Sequence, residues 1–76
     1  MEATYIELAG WGGGPGCIAS VMYKGPMTVT LDESLGLLVL TAGTGVTRKW
    51  GWGDNKAEVQ EGSQVRFHAS AVREMK

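Results

Sequence analysis

Apolar positions recur at every second residue along much of this chain, and glycine-containing segments interrupt them. In residues 4–9, Ile6 and Leu8 fall on one face, the spacing of a strand with one side buried. Met27, Val29 and Leu31 alternate with Thr28 and Thr30. Residues 27–31 therefore predict a second such strand, its three apolar side chains inward and its threonines in water. Leu37-Leu38-Val39-Leu40 is a continuous apolar run, which suits a strand covered on both sides. Val65, Phe67 and Ala69 share a face opposite Arg66, His68 and Ser70. Residues 18–24 fit either a strand or two helical turns.

The breaks between these runs carry turn chemistry: Gly25-Pro26, Asp32-Glu33-Ser34, Gly43-Thr44-Gly45, Gly53-Asp54-Asn55-Lys56 and Glu61-Gly62. Gly43-Thr44-Gly45 is expected to close a hairpin into a strand over 46–52. Residues 57–60 and 63–69 are expected to pair as a last hairpin, and the tail 70–76 is long enough for one helical turn. The expected fold is one small all-β domain over 1–76, a closed or partly open antiparallel barrel or sandwich. It would hold about six short strands, SH3-like or OB-like, with little helix, because closure removes exposed edges.

Composition adds an energetic constraint. Twelve of the 76 residues are glycine, about twice the usual ~7%. Ordering a chain of this length costs on the order of 110 kcal/mol, which a small core offsets only narrowly. Cys17 is the single cysteine and makes no internal disulfide. Association is the remaining common supplement, so a homo-oligomer or an obligate partner is expected. The first residues lack the basic start and apolar run of a signal peptide, and no stretch nears the ~18 apolar residues of a spanning helix. The expected setting is soluble, reducing and cytoplasmic, away from membranes.

The formal charge of −1 argues against bulk attraction to nucleic acid. The charge is unevenly placed, however. Residues 1–23 hold Glu2 and Glu7 and no cation, whereas 45–56 hold Arg48, Lys49 and Lys56 against Asp54. An anionic ligand would be expected near 45–56.

Three groups of residues are candidates for chemistry. Gly14-Pro15-Gly16-Cys17-Ile18-Ala19 follows a strand and fits the loose form G-x-G-x-x-A of nucleotide-binding loops. Too few residues separate it from Gly25 for a crossover helix, so a turning loop is the plainer reading. Its Gly12, Gly13, Gly14 and Gly16 amides would still suit an anion-binding nest. Trp50 and Trp52 share a strand face with Arg48, with Lys49 opposite. Aromatics beside cations serve either as a stacking platform for bases or as protein-contact anchors. The competing reading is that the indoles fill the core. Trp11, among glycines, has no side-chain neighbours in sequence to bury it. His68 and Cys17 are each alone of their kind, too few for a metal site and without a visible catalytic partner.

Val65-Arg66-Phe67-His68-Ala69-Ser70-Ala71-Val72 resembles the second RNA-binding strand of cold-shock domains, and Lys49-Trp50 resembles their opening. Arg66 and Ala69 stand where that family carries stacking aromatics, so no function is carried over.

The reading favoured is a non-catalytic binding module with no cofactor and no metal, docking on a larger partner protein. An inhibitor or adaptor of the viral or mobile-element kind would fit its size. Trp11, Trp50 and Trp52 would be its anchors, with Arg48, Lys49 and Lys56 at the rim. Two alternatives stand beside it: a nucleotide or single-stranded nucleic-acid binder using the same Trp/Arg/Lys face, and a structural oligomer subunit.

Overall fold

The structure is a computed structural model that describes residues 1–10, 20–50 and 55–76. Seven strands make one antiparallel sheet system: β1 (Glu2–Ala9), β2 (Ser20–Asp32), β3 (Leu37–Ala42), β4 (Thr47–Trp50), β5 (Asn55–Glu58), β6 (Gln64–Phe67) and β7 (Val72–Met75). A 3₁₀ turn, Ala69–Ala71, leads from β6 to β7. The described residues form no α-helix. The alternation read from the sequence is thus realised as strands, and the sheet is left open.

β2 organises the whole. At 13 residues it is far longer than the other strands, and it belongs to two wings. Its first half pairs with β4, Val21 opposite Trp50 and Lys24 opposite Thr47. Its second half pairs with β3, Met27 opposite Ala42 and Asp32 opposite Leu37. β1 lies along the other edge of β2, and its register slips by one residue between Ala3 and Tyr5. The extra residue falls on β2 at Gly25-Pro26, a bulge that bends the strand from one wing into the other. One wing reads β5-β4-β2-β1-β7, and the other adds β3 and β6 to β2.

Gly25 is required at this bend. Its φ is +121°, and a Cβ there would lie 3.0 Å from the Val46 Cα. The chain crosses between wings at the same place, where the Gly43 amide donates to the Pro26 carbonyl at 2.8 Å.

The core lies between the wings. Ile6, Leu40 and Val46 are fully buried, and Ala3, Leu8, Tyr23, Met27, Val29, Ala42 and Phe67 close round them. Burying each large apolar side chain contributes about 1.5–3 kcal/mol. Ile6 and Leu8 share the inward face, as their spacing predicts, and Met27 and Val29 do the same.

Several expectations are corrected. Leu31 is not inward: 60% of its surface is exposed, on the stretch of β2 beyond Thr28 where β1 no longer pairs with it. Gly25-Pro26 does not separate two elements, since a bulge lets the strand continue through it. β3 and β4 are not a hairpin, and neither are β5 and β6: β3 pairs with β2 and β6, and β4 with β2 and β5. Asn55 and Lys56 stand in β5, opposite Trp50 and Lys49, instead of in a turn. Residues 72–75 are strand, and Ala69 is exposed in the 3₁₀ turn, off the face of Val65 and Phe67. Residues 20–24 are strand, which settles that part of 18–24. The apolar run of β3 is covered unevenly, Val39 and Leu40 buried and Leu37 and Leu38 half-buried.

Candidate functional site

β4 and β5 form a hairpin at the outer edge of the first wing, with Arg48 opposite Ala57 and Trp50 opposite Asn55. Register then fixes what lies beside the indole. Across the sheet one row runs Leu8, Val21, Trp50, and the next runs Ile6, Tyr23, Arg48, Ala57. Arg48 and Trp50 therefore lie on the face that carries the core, where it continues past the last fully covered strand. Tyr23 is buried, Arg48 half-buried, and Trp50 is 46% exposed.

The two side chains touch. The Arg48 guanidinium carbon lies 4.9 Å from the centroid of the Trp50 ring, a stack of about 0.5–1 kcal/mol at an exposed site. Arg48 Nε is buried and, among the described residues, has no hydrogen-bond acceptor. A concavity of about 350 Å³ opens here, lined by Arg48, Trp50, Lys56 and Ala57. Ala57 matters because it has almost no side chain. Opposite the guanidinium it leaves space where a larger residue would close the hollow.

Of the expected binding residues, Arg48, Trp50 and Lys56 come together at this hollow. Lys49 lies on the opposite face of β4, facing Lys56 across the hairpin ladder. Trp11, Trp52 and the glycines Gly12, Gly13, Gly14 and Gly16 lie outside the described residues, as does Cys17. His68 is exposed just beyond β6. Ser34 donates its hydroxyl to Asp32 Oδ1 at 2.6 Å and is occupied by that turn. The described residues contain no group of three His, Cys, Asp or Glu side chains placed to hold a metal ion. No described helix is long and apolar enough to cross a membrane.

A second hollow of about 350 Å³ lies where β2 bends, with Glu2, Thr4, Thr28, Thr41 and Lys76 among its lining. Neither this hollow nor the role of Ala57 is signalled by sequence, because both depend on which strands pair.

No family model, curated protein or solved structure matches this chain.

Proposed function

We propose that the chain is a non-catalytic binding module that docks on a partner protein through the hollow formed by Arg48, Trp50, Lys56 and Ala57. One observation carries this. Trp50 stands in an apolar row with Leu8 and Val21, yet nearly half of its surface is open and a guanidinium stacks on it. Trp and Arg in a concave, partly desolvated setting are the residue types that dominate interface energies. The partner surface that fits would set an apolar side chain against the indole and an acceptor, best a carboxylate, against Arg48 Nε. The scaffold is read as a partly open barrel of the SH3-like or OB-like kind. Its support is the return of β7 to lie beside β1 and the bend that folds β2 into two wings.

The test is affinity capture with the intact chain, Trp50→Ala and Arg48→Gln, each first shown to melt near the wild-type temperature. The expected result is one protein retained by the wild type and lost by both variants. Equal retention by the variants overturns the reading.

Two cations beside one open indole favour a second reading, stacking of a base with phosphate held by Arg48 and Lys56. Binding of that kind would weaken steeply as salt rises, whereas docking on an apolar surface would not.

A further inference from the structure

The outer face of the first wing, turned away from the core, carries a charge pattern that its described residues pair off only in part. Register places Glu74, Glu7, Met22, Lys49 and Lys56 in one row across β7, β1, β2, β4 and β5. Glu7 stands directly opposite Glu74, and Lys49 directly opposite Lys56. Like charges directly opposite on neighbouring strands destabilise a sheet. Here two such pairs of opposite sign share a row, with one half-buried methionine between them.

The pairs do not neutralise each other within the chain. Two strand spacings separate Glu7 from Lys49, roughly 10 Å, about one Debye length at 0.1 M salt. Among the described residues the ion pair on this face is Lys76 with Glu74, at 2.9 Å. The field of the acidic end is felt nearby. The Tyr5 phenol is held above its ordinary value, first by burial and then by the charges of Glu7 and Glu74.

We propose that this face is the interface with a second copy of the chain, the two wings stacked about a two-fold axis that runs along β2. Such an axis reverses the row. Glu7 then meets Lys49 of the second copy, Glu74 meets Lys56, and Met22 packs on Met22. The adjacent row, Lys76 beside Tyr5, then Lys24, Thr47 and Glu58, also matches when reversed, because Lys76 meets Glu58. A closed two-fold contact of this kind uses one self-complementary patch on both partners, and stacked sheets keep their strands nearly aligned. The arrangement has one unfavourable meeting, Lys24 with its own copy on the axis. This face is the reverse of the one bearing Trp50, and it shares with the docking hollow the edge residue Lys56.

The experiment is light scattering against concentration for the intact chain, Lys49→Glu, Glu7→Lys, their equimolar mixture and the double variant. The wild type is expected to reach twice 8.1 kDa. Each single variant is expected to dissociate at least tenfold more readily, since Glu then faces Glu, or Lys faces Lys. Mixing the two restores opposite charges where positions 7 and 49 meet, so the mixture is expected to recover the wild-type mass, as is the double variant. Lys24→Gln is expected to tighten the dimer. A wild type that stays at 8.1 kDa at millimolar concentration overturns the proposal. So do single variants that associate like the wild type, and single variants whose mixture stays monomeric. Recovery on mixing also shows that both variants are folded.

Discussion

The Gly43 amide donates to the Pro26 carbonyl at 2.8 Å, and a Cβ on Gly43 would stand 2.6 Å from that same oxygen. The two backbones are close enough that only a hydrogen fits between them. Gly43→Ala must push β3 away from the bend of β2 or break the hydrogen bond. A loss of about 2 kcal/mol is expected, read as a drop in the urea midpoint with an unchanged slope.

Gly25→Ala tests the bend from the other side. Its φ of +121° is disfavoured for any side chain, and the added carbon would press on the Val46 backbone. Strain and crowding act together, so a loss of about 3 kcal/mol is expected. Gly36→Ala is the control. Its φ is +65° but nothing lies within 4 Å of the added carbon, and the left-handed conformation alone costs about 1 kcal/mol. Thermal melting of the two variants should separate them clearly.

Leu40 and Leu31 are both strand leucines, one fully buried and one mostly in water. Leu40→Ala is expected to cost about 3 kcal/mol, a large part of the stability of so small a domain. Leu31→Ala should change stability by about 0.5 kcal/mol or less. Denaturant titration of both variants checks the difference.

Asp32 closes the turn between β2 and β3. The Ser34 hydroxyl, donating to its carboxylate, is the main reason its pKa lies below the ordinary 3.8, with the Ser34 and Leu35 amides adding to it. A carboxyl depressed on folding contributes stability above its unfolded pKa and loses it as the pH falls through the folded value. The contribution is therefore present at neutral pH and disappears only in acid, below 3.8. Ser34→Ala is expected to raise the Asp32 pKa toward that ordinary value. A carbon-detected NMR titration of the side-chain carboxyl measures it directly.

Much of the strand content is legible from local pattern, and the pairing is not. The positions of Ile6, Leu8, Met27 and Val29 follow from alternation because each strand buries one face, and alternation reports that directly. Which strand lies beside which depends on β2 being long enough to serve two wings, and that follows from a bulge. Gly25-Pro26 has the composition of a terminator, and only the neighbouring strands show that it is a bend instead. The same gap hides the site. Arg48 and Trp50 on one face, with Lys49 on the other, follow from period two. The emptiness above Ala57 and the opposed Glu7–Glu74 and Lys49–Lys56 pairs require the register.

The shared strand also governs how the chain comes apart. Residues 20–32 supply partners to β1, β3 and β4 at once, so neither wing has a complete neighbour set if β2 is lost. The two wings should melt in a single cooperative transition, and no fragment that divides the chain within β2 should hold a native half.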